Sequence, residues 1–398
     1  MCQCAAASIL GFKYWCYVFM NSDTMNNRSI VVLFVLILIV SSVVMTIDVG
    51  GSDASFVVRD GEGTSFTFDS PVDHIITIGV GATATAIGVG ALDKIVVCDS
   101  YSKTNSDPIF DDLKRYVEEG RIAANGNIYN SGKEQLKIDI IDAAEPTKGR
   151  FDKDRDVIFA VVSPSYRGNL DFLAENGFRN VMYWNTVDDY GDIVDFVETI
   201  SMVCNGKIVD SAASMRLVVD TITSTLDKTN IARAKAFYIT YSGGEYKVGN
   251  TTSITTVMLE AAGGVVITKD PSKPDSTITV NLTKLVEENP TVKIFADHQV
   301  YTSEEHMKNI RIQVGNDVPI YGLESIWNNF SIESAKGVWL MASALYPELF
   351  EGDMPVPTEP QDTVFMYFCA GMVAVAIILI GSYLFMRTPS RPRKRSEE

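Results

Sequence analysis

Four short apolar runs rich in β-branched residues, at 74–79, 95–98, 156–162 and 180–184, alternate with longer helical or loop-like stretches. This is the βαβ rhythm of a parallel sheet, in which each strand is buried on both faces and needs a helical crossover to reach the next. The rhythm returns after residue 230, with strands expected at 235–240, 265–268, 292–296 and 318–321 and helices at 253–262 and 282–288. Between the two blocks, Ile208, Ala212, Met215, Val219, Ile222 and Leu226 recur at steps of three and four, one apolar face of a helix. The pattern predicts an α/β protein of two Rossmann-like lobes with parallel sheets, at 52–204 and 229–350, joined by a long inter-lobe helix at 205–228. No short internal repeat of solenoid type is present.

Two further segments are apolar without periodicity. Residues 364–386 carry no charge and are followed by Arg387, Arg391, Arg393, Lys394 and Arg395. The run exceeds the roughly 20 residues a helix needs to cross a bilayer, and the basic cluster marks the cytoplasmic side. Residues 387–398 are then a cytoplasmic tail, and the proline-bearing stretch 351–363 is an extended stalk. Residues 29–47 are also uncharged and follow Arg28, which gives either a cleaved signal peptide or a retained anchor helix. Residues 1–28 would be its cytoplasmic n-region, and Met25 offers an alternative start. This arrangement predicts a cell-membrane protein with one or two spans and region 52–363 outside the cytoplasm.

The net charge of −16 over 398 residues, with a basic tail, concentrates acidity in the outer region. Such a surface repels phosphate backbones and argues against a nucleic-acid partner. Only Cys98 and Cys204 fall in that region. One disulfide is conceivable outside the cell, but both residues sit in apolar runs, and two buried free thiols are the expectation. Sequons at Asn250, Asn281 and Asn329 permit glycosylation.

The first strand runs into Gly79-Val80-Gly81-Ala82-Thr83-Ala84, which fits G-x-G-x-x-A, and Asp99 lies 20 residues beyond Gly79. Three readings compete: a dinucleotide turn, a tightly packed strand-to-helix turn, and a helix N-terminus offering N–H groups to an anion. A surface-anchored α/β enzyme acting on a nucleotide-linked substrate is the alternative function that this motif supports. Only three histidines occur, His74, His298 and His306, too few for a transition-metal site or a Ser-His-Asp arrangement. Of these, His298 follows an expected strand at the carboxyl edge, where open α/β sheets place ligands. Aromatic and polar residues gather at the other strand ends: Ser100-Tyr101, Tyr166-Arg167, Trp184, Tyr241 and Trp327. If both sheets direct these ends into one crevice, the crevice has the apolar lining and few polar anchors of a ligand pocket.

The stretch HIITIGVGATATAIGVGALDKIVVCD, residues 74–99, resembles the opening of the ABC-transporter substrate-binding proteins for ferric siderophores, haem and cobalamin. The runs DVIFAVV and FLAENGFRNVMYW resemble that family's third and fourth strands with the helix between. Ala261-Ala262-Gly263-Gly264, Asn289-Pro290 and Tyr346-Pro347-Glu348 resemble motifs of its second lobe. The resemblance covers roughly residues 70–351. It implies two lobes on one long helix, a metal chelate held between them, and delivery to an ABC permease with its ATPase. The chain is then a binder, not an enzyme, with no resident cofactor or protein-held metal. Tyr101, Tyr166, Trp184, Tyr241 and Trp327 would stack on the chelate and Arg167 would pair with an anionic group, with Gly79, Gly81 and Thr83 supplying turn donors. Ser100 and His298 complete the expected set. The chain departs from the family at Ala84, where a Glu is common, and at Lys148 and Thr283, where docking glutamates are usual.

Overall fold

The computed structural model describes residues 55–124, 133–142, 151–185 and 187–357. Segments 1–28, 29–47, 364–386 and 387–398, residues 358–363 of the expected stalk, and Lys148 lie outside the described residues. Among those described, no helix is long and apolar enough to cross a membrane.

A hairpin of β1 (Phe56–Arg59) and β2 (Ser65–Phe68) opens the described chain. It is followed by β3 (Ile75–Ile78), α1 (Val80–Gly88), β4 (Ile95–Val97), α2 (Ser100–Thr104) and α3 (Asp111–Glu118). Next come α4 (Lys133–Leu136), β5 (Val157–Val161), α5 (Arg167–Glu175), β6 (Asn180–Trp184) and α6 (Tyr190–Asn205). The first sheet is wholly parallel, in the order β4-β3-β5-β6. The chain moves outward from β3 to β4 and then returns to β5 on the other side, which opens a crevice at the carboxyl ends of β3 and β5.

After α7 (Asp210–Thr229) come β7 (Lys235–Ser242), β8 (Glu245–Gly249), α8 (Ile254–Ala261), β9 (Val265–Val266) and β10 (Thr277–Ile278). The chain closes with α9 (Leu282–Glu287), β11 (Lys293–Ala296), α10 (His298–Thr302), α11 (Glu304–Val314), β12 (Ile320–Gly322) and α12 (Ser334–Leu345). In the second sheet β7 pairs in parallel with β9 and β11, and β11 with β12. An antiparallel extension, β8 and then β10, is added to this parallel set. The extension arises at Gly243 and Gly244, with φ of 64° and 87°, between the paired residues Ser242 and Glu245. Two central residues at positive φ make the hairpin turn whose twist matches that of the strands.

The long helix starts later than its apolar periodicity suggests. Asn205 ends α6, Gly206 caps it in the left-handed region, and α7 begins at Asp210, so Ile208 lies outside the helix and is 43% exposed. The buried stripe of α7 is Ala212, Met215, Val218, Ile222 and Leu226. Twenty residues make a rod of about 30 Å. It packs on α6 from the first block and on α8 and α12 from the second.

Strand alternation divides the core. On β5, Val157 and Phe159 face one cluster while Ile158 and Ala160 face another, and on β7 Ala236 and Tyr238 alternate with Phe237 and Ile239. The outer faces of the two sheets have separate cores. Their inner faces share one, which runs from Ile75 and Phe159 through Met215 and Ile222 to Phe295 and Met341. Cys98 and Cys204 both lie in this shared core as free thiols.

Candidate functional site at the carboxyl edges of the two sheets

The segment leaving the carboxyl end of β12 crosses to the carboxyl end of β3. Its Phe330 carbonyl rests against Gly81, where any side chain would collide with it. The Phe330 ring meets Phe196 of α6 edge-on at 5.9 Å. The Ile332 N–H donates to Thr85 Oγ1 at 3.2 Å. The loop-bearing edges of both sheets therefore border this junction.

The glycine turn is filled by the protein itself. Gly79 has φ 99° and packs so closely on β5 that a Cβ would lie 2.6 Å from the Val161 carbonyl oxygen. Thr83 is fully buried, with its hydroxyl 2.9 Å from that of Thr77. The dinucleotide and anion readings of Gly79, Gly81 and Thr83 give way to the packing reading, because the space a phosphate would need holds Phe330. Asp99 has no ribose to meet either. It is fully buried, and its Oδ1 accepts the Tyr101 N–H at 2.8 Å to cap α2. Burial raises its pKa above the ordinary 3.8, and the N–H groups of Tyr101, Ser102 and Gly79 offset part of that rise.

Several expected ligand-facing residues are committed elsewhere. Trp184 is 3% exposed, 4.8 Å from Phe196 in an edge-on contact and packed on Phe159. Tyr241 continues along the extended β7 into the hairpin, where its ring lies 5.1 Å from Tyr246 and 4.3 Å from His306 on α11. That is the outer face of the second sheet. Arg167 forms an ion pair with Glu62 of the β1–β2 turn at 3.0 Å, reaches Asp171 at 3.7 Å, and sits 5.1 Å over the Tyr183 ring. Tyr166 is half-buried against the outer core of the first sheet. Trp327 is half-buried, with its Cβ 3.1 Å from where a Cβ on Gly337 would stand. Burying these large apolar rings against neighbouring side chains removes them from water, and none of them is then offered to a ligand in the crevice.

At the edges themselves stand Ser100 and Tyr101 beyond β4, with Tyr101 54% exposed. His298 and Glu324 follow β11 and β12, with Nδ1 and Oε2 3.1 Å apart. Tyr301, which the sequence pattern does not single out, is 45% exposed, and its ring covers Gly322 at the end of β12. The signal for it was the glycine that a strand end otherwise has little reason to carry.

Beneath this edge runs a partly buried polar chain. The Tyr238 hydroxyl donates to Asp297 Oδ2 at 3.0 Å and accepts from Asn328 Nδ2 at 3.1 Å, and Asn328 Oδ1 accepts from Thr255. The second Asp297 oxygen caps α10 through the Gln299 N–H at 2.9 Å. Burial, with the Asp297 carboxylate second, pushes the Tyr238 hydroxyl above its ordinary pKa. The chain fixes β7, β11, α8 and the post-β12 loop together, so the rim above it has a rigid base. Among the described residues no group of three His, Cys, Asp or Glu could hold a metal ion.

No protein-family model and no curated protein matches this chain. Solved structures do. Helicobacter pylori CeuE with Ni(II) bound is 17% identical with a TM-score of 0.55, over 75% of this chain and 91% of that one. The TroA-like periplasmic binding protein FepB from Veillonella parvula is 13% identical with a TM-score of 0.52, over 74% and 91%. The periplasmic vitamin B12 binding protein BtuF of Vibrio cholerae is 18% identical with a TM-score of 0.50, over 70% and 98%. At these identities the likeness is one of fold. The chain has the α/β fold of periplasmic binding proteins, and the resemblance read from residues 74–99 holds at that level.

Proposed function

We propose that the chain is an extracytoplasmic substrate-binding protein of an ABC importer, held at the cell membrane by its apolar end segments. Its ligand is a metal chelate of the ferric-siderophore, haem or cobalamin kind, taken up between the two sheets. The observation that carries this reading is the shared inner core, with α7 laid across both halves and the loop-bearing edges of both sheets bordering one junction. The fold likeness to periplasmic binding proteins supports it. Tyr101, Tyr301 and the His298–Glu324 pair are the ligand-facing set, because these are the groups at the rim that the protein's own packing leaves exposed. The metal arrives with the chelate. Binding here is stacking and hydrogen bonding on a rigid base, with no catalytic step.

Docking to a permease would use acidic residues other than the family's usual pair. Thr283 is exposed on α9, and its hydroxyl donates to the Gln313 carbonyl at 2.9 Å. The nucleotide-linked alternative loses its motif, since the turn is closed by Phe330 and Asp99 is buried. Titration of the full-length chain with haem, cobalamin and ferric siderophores tests the proposal. One of these binds at micromolar concentration or tighter; no binding by any of the three overturns it.

A further inference from the structure

A cavity of about 520 Å³ lies between the β1–β2 hairpin and α6. Its walls include Val57, 62% exposed, and Ile208, 43% exposed, two apolar side chains kept at the surface on facing segments. Asp188 and Asp192 also line it, and Asp192 Oδ2 accepts the N–H groups of Asp188 and Asp189 at 2.7 and 3.3 Å. Arg216 clamps two further carboxylates of the lining, Asp195 at 3.1 Å and Glu198 at 2.9 Å, while Asp188 has no cationic partner among the described residues. Arg59 also lines the space, and the carboxylates still outnumber the cations.

Trp184 is an independent pointer to a ligand. The residue is 97% buried and lines this cavity, yet no acceptor for its Nε1–H occurs among the described residues. Gly61 packs on the ring at Cδ1, the carbon next to Nε1, where a Cβ would stand only 2.7 Å away. An N–H in a cavity wall with no protein acceptor calls for an acceptor on whatever enters it.

We propose that this cavity binds a small organic ammonium compound that also carries a hydroxyl or ether oxygen. The cationic end meets Asp188 and Asp192, the carbon skeleton lies between Val57 and Ile208, and the oxygen accepts from Trp184. The site is separate from the rim where the chelate is proposed to bind and does not depend on that reading.

The test is titration of the full-length chain with choline, with tetramethylammonium, which lacks the oxygen, and with 3,3-dimethyl-1-butanol, which lacks the charge. The heat of binding and the ¹⁵N–¹H resonance of the Trp184 indole are followed together. Choline binds most tightly and moves the Trp184 resonance, and the neutral alcohol binds least. Asp188→Asn weakens choline by about fivefold, the size of one lost ion pair at a partly exposed site. Ile208→Lys, at an exposed position outside any helix, abolishes binding without changing the thermal transition. Equal binding of the alcohol, a motionless Trp184 resonance, or insensitivity to both substitutions overturns the proposal. Chelate titrations in the same variants keep this outcome distinct from failure of the importer reading.

Discussion

The hydroxyl of Tyr190, on α6, lies 2.9 Å from the hydroxyl of Ser334, on α12, across 144 residues of sequence and with both side chains buried. It ties the last helix of the first block to the last helix of the second. Burial raises the Tyr190 pKa, and the bond to Ser334 offsets only part of that rise. Tyr190→Phe and Ser334→Ala should each lower unfolding free energy by about 1 kcal/mol, the net worth of a buried hydrogen bond. The double variant should lose less than the sum of the two, as read by urea denaturation.

Asp99 should make stability depend on pH in an unusual direction for a carboxyl. Its folded pKa is raised, so between the ordinary 3.8 and the folded value the folded protein holds a proton that the unfolded chain has released. The stability tied to this group is complete below the ordinary value and is lost as pH rises through the folded one. Asp99→Asn retains an oxygen for the Tyr101 cap and removes this slope. Thermal transitions of the two proteins across the acidic range should therefore converge at low pH, with the variant more stable near neutrality.

Glycine substitutions should separate close packing from backbone freedom. Gly81→Ala pushes against the Phe330 carbonyl and should destabilise by about 1–3 kcal/mol, the range of an overpacked site. Gly168→Ala, within α5 and with open space around it, should stabilise by about 0.5 kcal/mol. Chemical denaturation of the two variants in parallel checks both signs.

Burial pushes the Cys98 and Cys204 thiols up to about 12 each. Neither should form a thiolate at neutral pH, and peptide mapping after alkylation of the native protein should find both unmodified. Alkylation in denaturant should label both.

Glycosylation, if the chain meets the machinery, should spare Asn250. That side chain is fully buried and donates to the carbonyls of Asp270, Lys273 and Asp275 at 3.2, 3.0 and 2.9 Å. Asn281 is exposed and caps α9. Site-specific glycan mapping after secretion from a glycosylating host should find Asn281 occupied and Asn250 bare.

The central strands were legible because burial on both faces leaves an unbroken apolar run, as in VIFAV and the IFA of β11. The hairpins were harder to see. Phe56–Arg59 alternates faces over only four residues, and Gly243-Gly244 looks like the loop that ends a parallel strand until the pairing of Tyr241 with Tyr246 is known. That turn also explains the misplacement of Tyr241: the strand continues beyond the expected edge and carries its ring to the outer face. Apolar spacing located α7 but not its start, because Ile208 matches the helical period while lying in the link after Gly206. Trp184 and the Gly79 turn show the limit of reading a site from strand ends. A sequence shows which residue ends a strand, but whether the space beyond it is vacant depends on a segment 250 residues away, here Phe330.

The inner faces of the two sheets have no separate interiors to fall back on. A chain divided after Asn230 would part Phe196 and Tyr190 on one fragment from Phe330 and Ser334 on the other, and cut the one core the inner faces share. Neither fragment should fold alone, and mixing the two should restore a single cooperative species. Recognition of a ligand by the first half is thereby inseparable from the presence of the second.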